Sequence, residues 1–83
     1  MSNRNRLFSQ CLGRVLRAWR LNAGESLLSV ANRAGCSLGY MSEVERGCKS
    51  VSTEMLSAIC LAHHRRLSTL IRQTAFELEQ EGA

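Results

Sequence analysis

Apolar residues recur at helical spacing along the chain and divide it into five amphipathic segments. The clearest stripe occupies positions i, i+3, i+4 and i+7 of one helix face and consists of Leu12, Val15, Leu16 and Trp19. Ser9 is placed to cap this helix, and Gly24 lies just past its end. The pattern therefore predicts a first helix over residues 10–22, with Trp19 in the core.

Two short segments in the middle of the chain carry the signals of capped helices. Ser26 and Ser37 each precede an apolar pattern, and a Ser hydroxyl can accept from the free N–H groups of a first helical turn. We expect helices over 27–34 and 38–46. Gly35 lies between them, where the backbone can take a positive φ at little cost.

Two further residues predict how these short helices pack. Ala31 lies one turn before Gly35, so that two backbones can approach each other closely there. Met41 lies six residues after Gly35 and can fill the angle between the helices. A small residue, a turn glycine and an apolar residue at this spacing are typical of a helix-turn-helix, whose second helix would face DNA.

The last third of the chain holds two more helical patterns, over 52–63 and about 68–81. The apolar stripe of the last helix can complete the core and still leave a strip for a second copy of the chain. We therefore interpret it as a dimerisation helix. The residues expected at that dimer contact are Leu70, Ile71, Thr74 and Leu78.

Residues 1–8 are polar and basic, and we interpret them as a flexible arm outside a domain over 9–83. Two interpretations of the arm stay open. Arg4 and Arg6 can reach phosphates or a minor groove, or the segment is a frayed terminus, which is the more common case.

Composition favours an all-α domain and a polyanionic partner. The 83 residues include no proline and few aromatic residues, and the formal charge is +4. Residues 1–50 carry eight Arg and Lys against three Glu, whereas residues 51–83 carry three Arg against four Glu. The excess positive charge therefore lies on the half that holds the two short helices.

Several classes of protein are disfavoured. No apolar run approaches the roughly 18 residues of a membrane span, and the N-terminus lacks the apolar core of a signal peptide, so we expect a cytoplasmic protein with no membrane partner. The sequence has no aspartate, which excludes a Ser-His-Asp triad, and no Gly-rich phosphate loop. We predict neither enzymatic activity nor a cofactor.

The four cysteines are expected to remain reduced thiols. Cys60, His63 and His64 have metal-like chemistry on one helix, but the chain has no CxxC pair, so no metal site is predicted. Cys48 lies beside the basic residues Arg46 and Lys49, which would favour its thiolate, and a thiol-based redox sensor is a minor alternative.

Three segments carry a resemblance to a known family. They are LGRVLRAWR, VANRAGCSLGYMSEVERG and LSAICLAHHRRLSTLI. Together they resemble the lambda-repressor-like helix-turn-helix family, of the Xre or Cro/C1 type, over about residues 12–71. The run SLGYMSEVERGCKSVSTEMLSAIC is similar, more narrowly, to the actinobacterial regulators of Clp protease genes.

The resemblance implies a five-helix all-α fold and a set of site residues. In this family the positions similar to Arg20 and Glu45 often form a structural ion pair. Base-reading positions would fall on Ser37, Gly39, Tyr40, Ser42 and Glu43. Glu43 could accept from a cytosine amino group. Phosphate contacts would fall on Arg33, Arg46, Lys49 and Ser50.

Three stretches depart from the family pattern. Leu27 replaces a common glutamine, and Val51 replaces a common proline. Residues 63–65 replace an apolar residue, a helix-ending glycine and another apolar residue. The last departure concerns the junction of the fourth and fifth helices rather than the expected DNA-reading surface.

The function implied by the resemblance is a bacterial transcription regulator that binds a palindromic duplex operator as a homodimer. The narrower resemblance implies activation of protease or chaperone genes, with RNA polymerase as a candidate partner. The rival interpretation is a protein–protein interaction module, such as an antitoxin or an adaptor, on the same fold. The exposed position expected for Leu28 and the apolar stripe of the last helix favour that alternative.

Overall fold

The computed structural model describes residues 3–82, and the side chains of residues 6–82. It confirms the all-α expectation, since the described residues form five helices and no strand. In chain order these are α1 (Asn3–Asn22), α2 (Leu27–Ala34), α3 (Leu38–Glu45), α4 (Thr53–Ala62) and α5 (Leu67–Gln80).

One buried cluster holds the five helices together. Helix α1 packs against α3 and α5, while α2 packs against α3 and α4. The largest fully buried apolar side chains are Leu12, Leu16, Met41, Ile59 and Leu70. Ala31 and Met41 are both completely buried, as expected for the residues that let α2 and α3 approach each other.

Helix α1 begins at Asn3, earlier than predicted. Ser9 lies inside the helix and is 4% exposed, so its assignment as a cap was wrong, and residues 3–8 of the predicted arm are helical. The sequence argued against a helix here because the segment is polar and basic and Ser9 was placed as the cap of a later start. Packing of Gln10 against the backbone after α3 supplies a tertiary contact that local patterns do not reveal.

The predicted dimer contact was wrong for two of its four residues. Leu70 and Thr74 are both 0% exposed, because α5 turns them inward against the rest of the chain. Ile71 is 45% exposed, and Leu78 is partly exposed. Phe76, which the sequence placed to one side of the stripe, is 60% exposed.

The junction of α4 and α5 is built around Trp19. His63 meets the Trp19 ring edge to face at 5.5 Å, and the Arg65 guanidinium carbon lies 4.6 Å from its centroid. The indole Nε1 donates to Gln73 Oε1 at 2.7 Å. His64 takes a φ of +55°, the left-handed conformation that glycine adopts more easily. Two of the three departures in this stretch, His63 and Arg65, therefore interact through the Trp19 ring.

Candidate nucleic-acid interface

Local signals define α2, α3 and the turn between them. The Ser26 hydroxyl accepts from the Ser29 N–H at 3.1 Å, and the Ser37 hydroxyl accepts from the Tyr40 N–H at 3.0 Å. Gly35 takes a φ of +75° and ends α2. Each of these contacts joins two residues that are fewer than five positions apart in the chain. The sequence alone was therefore enough to place the two helices.

Helix α1 holds the C-terminal end of α3 at very short range. A β-carbon added to Gly13 would clash with the Glu45 carbonyl oxygen and lie 2.6 Å from the Val44 carbonyl oxygen. Only a glycine at this position lets the two helices lie so close. Gly13 belongs to one of the segments that resemble the family, but its role was missed, although a glycine inside a predicted helix was a usable signal.

Arg20 and Glu45 form the ion pair that the resemblance implied. Arg20 Nε lies 2.9 Å from Glu45 Oε2, and Arg20 Nη2 lies 3.1 Å from Glu45 Oε1. Their side chains are 14% and 5% exposed. The hydrogen bond to Glu45 raises the pKa of Arg20 above its ordinary value. Arg20 also donates to the Glu25 carbonyl oxygen, so its guanidinium links α1 to α3 and to the segment before α2.

Four of the five expected base-reading residues lie on or beside the side of α3 that faces away from the core, and the fifth, Tyr40, packs partly against the core. Ser37 and Gly39 are exposed, whereas Tyr40, Ser42 and Glu43 are partly exposed. A β-carbon at Gly39 would meet nothing within 4 Å, so packing within the chain does not require this glycine. It leaves a gap in the side-chain layer through which another molecule can approach the α3 backbone.

Contacts within the chain restrict two of these side chains, Tyr40 and Ser42. Tyr40 packs against the core cluster, and burial raises the pKa of its phenol. Ser42 accepts a hydrogen bond from Arg46 Nε at 3.3 Å. Glu43 makes no ion pair among the described residues, which leaves its carboxylate available as an acceptor.

Three of the four expected phosphate-binding residues follow α3 directly. Arg46, Lys49 and Ser50 are all exposed. Arg33 has a different environment, because its guanidinium lies 2.6 Å from Glu25 Oε2 and donates to the Ala62 carbonyl oxygen at 3.0 Å. These contacts give Arg33 a structural role between α2 and α4, and we do not retain it as a phosphate contact.

The segment after α3 lies directly against α1. Gly47 takes a φ of +75°, and a β-carbon there would lie 2.7 Å from the Gln10 α-carbon. Arg6, one helical turn before Gln10, lines the same cleft as Arg46 and Lys49. The sequence did not predict this contact, because it joins residues more than 35 positions apart.

Comparison with known proteins identifies the same helix-turn-helix. A family model described as a helix-turn-helix domain matches residues 12–67, which include α2, α3 and α4 in full. The chain belongs to this helix-turn-helix family. Among the described residues, no helix is both long and apolar enough to cross a membrane.

Curated relatives narrow the comparison within the family. The chain is 46% identical over 65 residues to the transcriptional regulator ClgR of Mycobacterium tuberculosis, in strains CDC 1551/Oshkosh and H37Rv. The match covers 78% of this chain and 58% of that protein. The chain therefore spans a little over half the length of the curated relatives that it matches.

Solved structures show the same fold. A crystal structure of the clp gene regulator ClgR from Corynebacterium glutamicum matches with a TM-score of 0.86 and 32% identity, over 90% of this chain and 80% of that one. A second crystal structure of that regulator matches with a TM-score of 0.78 and 35% identity, over 82% and 88% of the two chains. The resemblance to the Clp-gene regulators that the sequence suggested is thus confirmed.

Proposed function

We propose that this chain is the sequence-specific, duplex-DNA-binding part of a transcription regulator and has no enzymatic role. The observation that carries the proposal is the placement of α3, whose partly exposed polar face lies beside exposed cations while its other face is fixed by the Arg20–Glu45 pair and by Gly13. An α-helix presented in this way fits the major groove of B-form DNA.

The residues divide into two roles. Glu43, with Ser37, Gly39, Tyr40 and Ser42 around it, would read base edges, because a carboxylate accepts from a cytosine amino group and repels a misplaced phosphate. Arg46, Lys49 and Ser50 would bind phosphates and set the position of α3 without reading sequence. The excess positive charge of residues 1–50 supports this division, since it lies on the same half of the chain.

The names of the relatives suggest a target. The Corynebacterium protein is described as a clp gene regulator, and we extend that role to this chain as an activator of protease or chaperone genes. Activation would further require contact with RNA polymerase. A homodimer would place two α3 helices about one helical turn of DNA apart, on a palindromic operator in the cytoplasm. Ile71, Leu78 and the exposed Phe76 are the side chains of α5 left for that dimer contact.

A titration against genomic duplex fragments at two salt concentrations tests this function. DNA binding predicts that a few fragments are selected over bulk DNA, that affinity falls steeply as salt rises, and that the protected region is palindromic. A protein that selects no fragment would contradict the proposal. That result would favour an antitoxin-like or adaptor-like interaction module, for which Leu28, 52% exposed, and Leu61, 75% exposed, are the contact candidates.

A further inference from the structure

A cationic cleft lies between the start of α1 and the segment that follows α3. One wall is formed by Arg6 and Gln10, and the other by residues 46–50. Arg6, Arg46 and Lys49 bring three positive charges to it, and no acidic side chain among the described residues lines it. None of these three cations forms an ion pair within the part of the chain that the structure describes.

The backbone contact between Gln10 and Gly47 creates this cleft. A β-carbon added to Gly47 would lie 2.7 Å from the Gln10 α-carbon, so the segment after α3 is packed closely against the side of α1. Arg6 precedes Gln10 by four residues, so both side chains lie on the same face of the helix. Arg6 is therefore held beside Arg46 and Lys49 by regular structure rather than by a flexible tail.

Positive charge at the N-terminus of α1 is unfavourable within the isolated chain. The first turn of α1 contains no acidic residue, and Arg6 is its fourth residue. Positive side chains near a helix N-terminus oppose the helix dipole, and three neighbouring cations repel one another. An external anion in the cleft would relieve both effects.

We propose that the cleft binds a phosphodiester group of the DNA backbone, with Arg6 on one side of it and Arg46 and Lys49 on the other. The inference rests on the proposed function and extends the DNA contact from the helix-turn-helix to α1. A guanidinium suits this role because its N–H groups can donate to two phosphate oxygens at once. The cleft is open and is lined by exposed cations, which fits one link of a long polyanion better than an enclosed small molecule.

Salt-dependent binding of four proteins tests the proposal. The proteins are the wild type, Arg6→Ala, Arg6→Lys and the control Arg66→Ala. Arg66 is exposed at the start of α5, lies outside the cleft and makes no side-chain cap, so its loss changes net charge equally. Each is titrated by fluorescence anisotropy with a selected genomic fragment and with an unrelated duplex of equal length.

Arg6→Ala is expected to weaken binding to both duplexes alike, on the order of five- to tenfold at 0.1 M salt. The slope of log affinity against log salt should become shallower by about 0.9 for each phosphate that Arg6 neutralises in the wild type. Arg6→Lys should keep most of the slope, and Arg66→Ala should resemble the wild type. The melting temperature of Arg6→Ala should not fall, because the substitution removes an unfavourable charge from the helix N-terminus. A folding defect would therefore be visible as a separate result.

Two outcomes would overturn the proposal. Equal slopes for Arg6→Ala and Arg66→Ala would show that Arg6 binds no phosphate, while selective binding by the wild type would leave the proposed function intact. Displacement of duplex by millimolar inorganic phosphate, beyond the effect of sulfate at equal ionic strength, would assign the cleft to a small phosphorylated ligand. A wild type that selects no fragment would instead refute the proposed function itself.

Discussion

Arg20 and Glu45 meet through two hydrogen bonds, from Nε to Oε2 at 2.9 Å and from Nη2 to Oε1 at 3.1 Å. The two residues are 25 positions apart and belong to α1 and to the last turn of α3. Since both side chains are largely buried, the pair fixes the orientation of α3 relative to the rest of the domain.

Removing one partner of this pair should be more costly than removing both. Arg20→Met or Glu45→Leu alone leaves a charge without its partner, and each should lower the free energy of unfolding by about 3 kcal/mol. The double variant should lose less than either single variant, because no unpaired charge remains. Urea unfolding of the four proteins measures this coupling. Additive losses would mean that the pair has no such role.

Gly13 and Gly39 should respond in opposite ways to the same substitution. An alanine normally stabilises a helix interior by up to about 1 kcal/mol relative to glycine. Gly39→Ala, in the first turn of α3, should show part of that gain, because its β-carbon meets nothing within 4 Å, and yet it should weaken DNA binding. Gly13→Ala should lower the melting temperature, because its β-carbon would lie 2.6 Å from the Val44 carbonyl oxygen. Thermal unfolding monitored by circular dichroism tests both; a stabilised Gly13→Ala protein would contradict the close packing of α1 on α3.

Cys48 should be the first thiol to react with an alkylating agent. It is exposed and lines the cationic cleft, whereas burial raises the pKa of Cys11, Cys36 and Cys60. Carboxymethylation with iodoacetate places a negative charge in the cleft and should weaken duplex binding strongly. Carbamidomethylation with iodoacetamide adds a similar volume without charge and should weaken it less. Mass spectrometry identifies the modified thiol, and equal effects of the two reagents would argue against a phosphate in the cleft.

Acid should destabilise the domain through His63. Burial lowers the pKa of this imidazole, and its Nε2 is buried without a hydrogen-bond partner among the residues that the structure describes. The folded protein therefore binds fewer protons here than the unfolded chain, so the contribution of His63 is complete above the ordinary histidine pKa and is lost as the pH falls below it.

Urea unfolding between pH 7 and pH 5 measures this dependence. His63→Leu should reduce the loss of stability in acid, while His64→Gln, which removes an exposed imidazole, should not. The charged groups that act on His63 are Glu25, Glu45, Arg33 and Arg65, and the burial effect is larger than theirs. An unchanged acid dependence in His63→Leu would assign it to another group.

The parts of the fold that the sequence predicted are those set by local contacts. Helix α2 begins and ends where its cap and turn glycine predicted, because Ser26 and Gly35 act within one turn of the backbone. The family resemblance supplied the Arg20–Glu45 pair, which spacing alone did not require.

The parts that the sequence missed depend on distant packing. Helix α1 begins at Asn3, and its Gln10 meets Gly47 from a distant part of the chain, which local patterns do not show. Leu70 and Thr74 carry the same periodic pattern as Ile71, and the packing of α5 on α1 and α4 decides which of them is buried. The sequence made Arg33 a candidate for phosphate contact. In the folded chain, however, its guanidinium binds Glu25 and the Ala62 carbonyl oxygen.

The most direct measurement of DNA recognition by α3 is the base preference of Glu43→Ala, determined by selection from random duplexes alongside the wild type and Arg46→Ala. Glu43→Ala should change or relax the preference at one base pair of each half-site, with a discrimination of about 1–3 kcal/mol. Arg46→Ala should keep the wild-type preference and bind every duplex more weakly. An unaltered preference in Glu43→Ala would contradict direct reading of the sequence by this residue.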